Sequence, residues 1–233
     1  MMIVKMINKS RIKAVIGSFF LTLCFTACSL NIPYENQFSD PDAITTPNTA
    51  RELLATAYKQ LPSPEFDLSV LSDDFETTSW ISRDASLNNL YKWQTQPIED
   101  LSVSIWSDYY AAVAIANAVL ERVDGISVST IEETKELQAV VSEAKLLKAY
   151  CYFNLLRLFA PDYEDGPEKD GIILKDQLEL GFLYRSSIGE CVTAIRELLK
   201  EALTVENNPS DVYWFSQYSG YYMWAELELY AHN

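Results

Sequence analysis

The chain has 233 residues, 33 acidic against 18 basic, a formal net charge of −15 and a single histidine. An acidic chain with no Lys/Arg patch repels polyphosphate, which excludes nucleic-acid binding, and His232 alone cannot anchor a zinc site or a catalytic triad. Glycine is scarce, with 7 residues, while aromatics make up 12%, a balance that suits a helical fold better than a turn-rich β-sandwich.

The first stretch carries Lys5, Lys9, Arg11 and Lys13 and no acidic residue. An apolar run from Ala14 to Phe25 follows, broken only by Gly17, Ser18 and Thr22. A basic start and so short an apolar run form an export signal rather than a permanent membrane span. The run closes on Phe25-Thr26-Ala27-Cys28. Small Thr26 and Ala27 fit a narrow peptidase cleft, and the Cys28 thiol can then accept a diacylglycerol group. Cys24 is a poorer acceptor because bulky Leu23 precedes it. Residues 1–27 are therefore expected to be a lipoprotein signal peptide, with Cys28 the lipid-bearing first residue of the mature chain. Their removal takes away four positive charges and moves the net charge from −15 to −19. Several acyl chains hold a protein firmly where one does not. Residues 28–48 are polar and contain Pro33, Pro41 and Pro47, as a tether would.

Thr46-Pro47-Asn48-Thr49 opens a first helix, with Leu53, Leu54, Ala57, Tyr58 and Leu61 on one side and Pro62 as its stop. From Ser63 to Ser104 the periodicity fades into a long irregular excursion, of the kind that often carries function. A second helix spans roughly Val103 to Val123, through Trp106, Tyr109, Tyr110, Val113, Ala116, Asn117 and Leu120, and Asp124-Gly125 ends it. The clearest helix runs from Ile131 to Phe159, where Leu137, Val140, Val141, Ala144, Leu147, Cys151, Leu155 and Leu158 recur at intervals of three and four. A loop containing Pro161, Gly166 and the short apolar run Gly171–Leu174 leads to helices over Ser187–Leu203 and Ser216–Tyr230. The predicted fold is all-α, built of tetratricopeptide-like helical hairpins whose small residues (Ala111, Ala112, Ala144, Ala149, Ala225) allow close approach. Cys151 and Cys191 fall among apolar residues of these helices and are expected as free buried thiols.

Three stretches together resemble the SusD/RagB family of outer-membrane nutrient-binding lipoproteins. They are Trp106-Ser-Asp-Tyr109-Tyr110 with Ala116-Asn117-Ala-Val-Leu120, the run Ser142-Glu143-Ala144 to Asn154-Leu155, and Tyr184-Arg185-Ser186-Ser187. Two positions depart from the family pattern: Ser142 stands where glycine is usual, and Lys148 where arginine is. The resemblance covers the mature chain but only the family's N-terminal half, so 49–233 is expected to be the SusD-like N-terminal helical domain without its C-terminal half. It implies a lipid-anchored outer-membrane protein at the cell surface that serves nutrient uptake and polysaccharide utilisation. Such a protein caps a TonB-dependent β-barrel transporter and passes it oligosaccharides or sometimes peptides, as a binder and not an enzyme.

Capturing sugar in water needs flat aromatic faces for C–H stacking and a rim of hydrogen-bonding groups. Within the excursion, Trp80 and Trp93 are the first candidates, with Tyr91, Asp74, Arg83 and Asn89 around them. The same tryptophans could instead plug the loop onto the body. Trp106, Tyr109 and Tyr110, spaced three and four apart, are expected in the core. Tyr213, Trp214, Tyr221, Tyr222 and Trp224 are expected to be packing that the missing half would cover. Asp73-Asp74-Glu76 lacks an EF-hand pattern and reads as a solvated acidic turn. No catalytic residue, cofactor or metal is expected. The competing reading is a helical-repeat lipoprotein that only scaffolds a protein partner. A glycoside hydrolase is a third.

Overall fold

Hydroxyl side chains set where most of the long helices begin. The computed structural model describes residues 44–72, 78–79, 83–178 and 181–232; the expected signal peptide, Cys28 and the tether as far as residue 43 lie outside the described residues. The helices are α1 (Pro47–Gln60), α2 (Glu65–Leu71), α3 (Ala85–Tyr91), α4 (Thr95–Arg122), α5 (Ile131–Phe159), α6 (Ile188–Ala202) and α7 (Gln217–Tyr230). Thr46, Thr130, Ser187 and Ser216 each accept the N–H three residues on. The residue there, Glu133 and Glu190 in α5 and α6, bonds back to the cap. These reciprocal caps satisfy donors that a helix start otherwise leaves without partners. Among the described residues no strand forms, and only Asp170 and Ser187 make an isolated bridge.

Helices α4 and α5 form a central hairpin. Helix α1 packs against both, α6 packs on α5, and α7 packs on α6 with its inner edge on α5. Ala112 and Ala116 of α4 and Ala144 of α5 are fully buried, so the helices approach closely where Tyr109, Leu147, Leu155, Ile195 and Leu199 fill the core. By length and composition alone α4 could cross a membrane, yet its apolar side is spent on this core. Gly220 serves α7 in the same way, since a Cβ there would meet methyls of Leu146 and Leu203, each at 2.9 Å. Arg196 locks α6 to α7 with a two-pronged bond to Glu228 at 2.7 and 2.8 Å. Cys151 and Cys191 are buried free thiols.

The deepest polar contact joins three segments distant in sequence. Glu143 of α5 has 0% exposure. Its carboxylate accepts from Arg51 Nη1 at 3.1 Å and from the Tyr58 hydroxyl at 2.8 Å, both on α1. The Tyr58 hydroxyl in turn accepts the Phe215 N–H at 3.0 Å, ahead of α7. Burial, and next the Glu143 charge, push the Tyr58 hydroxyl far above the usual phenol range, so it keeps the proton it donates. Trp214 stands edge-on to Tyr58, 5.1 Å between ring centroids, and the Arg51 guanidinium lies 5.5 Å from the Trp214 ring.

The two departures from the family pattern both have local partners. The buried Ser142 hydroxyl donates to the Ala202 carbonyl at the end of α6, 3.0 Å away. Lys148 donates to Asp176 at 3.0 Å and lies 5.6 Å from the Tyr152 ring. The apolar run after Gly171 is strapped down by side chains. The Tyr110 hydroxyl both accepts from and donates to the Ile173 backbone, at 3.0 and 2.8 Å, and Tyr152 does the same for Lys175 at 2.8 and 2.7 Å. Asn117 Nδ2 adds a bond to the Lys175 carbonyl at 2.7 Å.

The structure corrects three expectations. Part of the excursion from Ser63 to Ser104 is helical: α2 and α3 lie within it, and α4 starts at Thr95, not near Val103. Each short helix buries one residue, Val70 or Leu90, too few to leave a period. Pro97 sits in the first turn of α4, where no N–H is needed. The folded body also begins before residue 48, with Ile44 in the core and Pro47 opening α1. Finally, Trp214 is packed within the chain, whereas Tyr213, Tyr218, Tyr221 and Tyr222 are exposed.

Two measurements test the Glu143 contact. Glu143→Ala should cost about 3 kcal/mol in urea unfolding, because it leaves the half-buried Arg51 guanidinium and the Tyr58 hydroxyl without their acceptor. Burial raises the Glu143 pKa above its ordinary 4.5, against the opposing pull of Tyr58 and Arg51. The folded chain therefore holds this proton more tightly than the unfolded one. The contribution of the group is most favourable in acid and declines as pH rises from 4.5 through the folded value. The stability advantage of wild type over Glu143→Gln should accordingly shrink between pH 4 and pH 7.5. An advantage that grows with pH would mean that the Arg51 and Tyr58 bonds outweigh burial.

Candidate functional site

Of the six residues singled out for ligand binding, four gather around α3. Asp84 opens this helix, its carboxylate accepting the Ser86 and Leu87 N–H groups at 2.9 and 3.2 Å. Leu90 points inward and is buried, so α3 is pinned along one side to α2 and the start of α4. Arg83 just before the helix and Asn89 on its outer side are exposed, and Tyr91 is half-buried. Asp74 and Trp80 lie outside the described residues, as do Asp73 and Glu76.

The helix end explains Trp93. The Trp93 N–H bonds to the Leu90 carbonyl at 2.9 Å and the Gln94 N–H to the Asn89 carbonyl at 3.0 Å. This pair of bonds closes a helix through a residue in the left-handed region, a place normally held by glycine. Here it is held by tryptophan, at φ 56°, with 65% of the side chain exposed. The backbone thus sets where the side chain leaves the helix end, and the residue is largely in water. A bulky residue at positive φ costs about 1 kcal/mol, and the buried core gains nothing from it. The arrangement offers a flat apolar face at the end of the helix that carries the Asn89 amide, while Arg83 precedes the opposite end, and neither polar group is bonded to another described side chain.

Trp106, Tyr109 and Tyr110 pack as expected, with Tyr109 fully buried. The sequence reading missed that Trp106 and Tyr110 also border a cleft of about 200 Å³ shared with Lys175, Gly181 and Leu183. The only hint was the unpatterned apolar run Phe182-Leu183-Tyr184. Two larger grooves, about 490 and 430 Å³, flank α7 and are walled mainly by apolar side chains such as Leu203, Trp224, Phe153 and Met223.

Helical hairpins packed around one core define an all-α scaffold. Residues 29–223 match the model of a SusD-like family described as starch-binding and associating with the outer membrane. The chain belongs to this SusD-like family. A SusD-like protein of Bacteroides ovatus is 29% identical over 69 residues, which are 30% of this chain and 12% of that protein. A solved putative sugar binding protein from Bacteroides vulgatus superposes with a TM-score of 0.69 at 20% identity, over 81% of this chain and 43% of its own. Surface glycan-binding protein A from Bacteroides fluxus superposes with a TM-score of 0.52 at 16% identity, over 81% and 41%. At these identities the two structures show a shared fold. The chain spans less than half the length of these relatives.

The strain at Trp93 yields a direct expectation. Trp93→Gly should stabilise the protein by about 0.5–1 kcal/mol in urea unfolding, because glycine accepts positive φ freely. A loss of stability would show that the indole is a packing residue after all.

Proposed function

We propose that this protein is a lipid-anchored binder that captures oligosaccharides at the cell surface, without altering them, for import through a TonB-dependent outer-membrane transporter. The observation that carries this reading is Trp93, a bulky ring in a glycine conformation and 65% in water. The indole face stacks on the C–H groups of a pyranose ring. The Asn89 amide donates to and accepts from sugar hydroxyls, and the Arg83 guanidinium donates. Tyr91 borders the same surface, and Trp80 and Asp74 belong to the adjoining excursion. Cys28 carries the anchor, and residues 1–27 direct export. The description of the family as starch-binding and outer-membrane-associated supports the ligand class and the location.

Isothermal titration with maltoheptaose and other oligosaccharides tests the binding. Saturable binding is expected, weakened at least about tenfold by Trp93→Ala, since one stacking contact carries about 1.4 kcal/mol. Trp93→Gly should lose the ligand while gaining stability, which separates recognition from folding. A second reading, a scaffold for a protein partner alone, is favoured by the exposed aromatic side of α7. Absence of binding to every oligosaccharide, together with capture of the transporter, would favour it.

The anchor is tested separately. Cys28→Ser should move the protein from the membrane to the soluble fraction and abolish metabolic labelling with a fatty acid. Retention of the label would place the lipid elsewhere.

A further inference from the structure

The cleft beside α4 has chemistry that the α3 surface lacks. Its floor is Trp106 and Tyr110, its wall Ile173 and Lys175, and its lip Gly181 and Leu183. At about 200 Å³ it has room for one sugar ring and not for a whole oligosaccharide. The floor is rigid. Tyr110 is held by both backbone groups of Ile173, and Trp106 lies between Tyr110 at 4.9 Å and the edge of Phe159 at 5.1 Å. The Arg185 guanidinium lies 5.1 Å from the Trp106 ring, fixed by bonds from Nη1 to the Phe159 and Gly171 carbonyls at 2.9 and 2.8 Å. Aromatic surface already immobilised costs little further entropy when a ligand settles on it.

A cation, Lys175, lines this cleft, and a second, Arg185, lies over its Trp106 floor. Acids outnumber bases 33 to 18 overall, yet among the described residues neither Lys175 nor Arg185 is paired with a carboxylate. The neighbouring acid, Asp176, is taken by Lys148, whose ammonium is nearly buried. Glu121 accepts the Leu178 N–H at 2.9 Å. Phe182 and Tyr184, at 106% and 93% exposure, stand in water on either side of the cleft-lining Leu183 and extend the apolar surface outward.

We propose that this cleft is a second saccharide-binding site, specific for a sugar that bears a carboxylate, a uronic acid. The inference rests on the oligosaccharide-binding function above and adds to it a ligand class and a location. The sugar ring lies on the Trp106–Tyr110 floor, and its carboxylate takes the cleft-lining Lys175 ammonium, with the Arg185 guanidinium near Trp106 adding positive charge. The negative charge of the chain does not forbid this. Charges beyond about 8 Å are screened at physiological salt, while a direct ammonium–carboxylate contact is not.

Lys175 suits a test because only its backbone holds the strap, through Tyr152 and Asn117. Lys175→Met therefore keeps the fold and removes the charge. Titration of the full chain with tetragalacturonate, tetramannuronate and maltotetraose should show tighter binding of an acidic probe than of the neutral one. Lys175→Met should weaken the acidic probe about tenfold and flatten its salt dependence, while Lys175→Arg restores both. Acidic and neutral probes binding alike, or Lys175→Met leaving the acidic probe untouched, would overturn the site while oligosaccharide capture stands. If neither these probes nor maltoheptaose bound wild type, the site and the functional reading above would fall together.

Discussion

The Glu143 carboxylate is the contact on which the arrangement of this protein depends. Placing a charge at zero exposure carries a desolvation cost of several kcal/mol, and only complete satisfaction of its oxygens makes the position tolerable. One oxygen is met by Arg51 and the other by Tyr58. Both come from α1, so the first helix can dock on α5 in one register only. Because the Tyr58 hydroxyl also holds the Phe215 backbone, the approach to α7 is fixed by the same group. Apolar packing alone would let helices slide by a turn at little cost, whereas a buried carboxylate with two defined donors does not.

A similar logic governs the segment after Gly171. It has no neighbouring strand, so its backbone groups would be left without partners against the α4–α5 hairpin. Tyr110 and Tyr152 each use one hydroxyl as donor and acceptor at once, in the manner of a missing strand. Burial is the main cause that holds both phenols far above their ordinary range, so neither hydroxyl loses its proton under physiological conditions. The same strap positions Lys175 and leads on to Gly181 and Leu183. A core tyrosine thereby shapes a surface cleft, and α4 contributes to both.

The starts of α1, α5, α6 and α7, the core stripes and the free thiols were legible because they are local or periodic properties. Thr130 and Ser187 cap α5 and α6 through residues only three positions on, and Leu147, Cys151 and Leu155 share a side of α5 whatever they pack against. Helices α2 and α3 were not legible, since each buries a single residue and owes its helicity to the neighbours it lies on. The proposed α3 site draws on the sequence in part. Its aromatic and amide composition marked Trp93, Tyr91 and Asn89, but nothing in the sequence announced a tryptophan at positive φ. The cleft at Trp106 escaped because its residues come from α4 and from a loop about 70 positions away, and because the spacing of Trp106 and Tyr110 reads as core.

By itself, the sequence determined an all-α chain, a basic and then apolar first stretch that leads to Cys28, and an acidic composition, because composition and spacing act without regard to distant partners. Only the tertiary structure decided which buried charge is satisfied and which aromatic rings face water. Those properties depend on residues such as Arg51 and Glu143, or Tyr110 and Ile173, that lie dozens of positions apart. Desolvation and hydrogen bonding act on neighbours in space, and folding alone makes such residues neighbours.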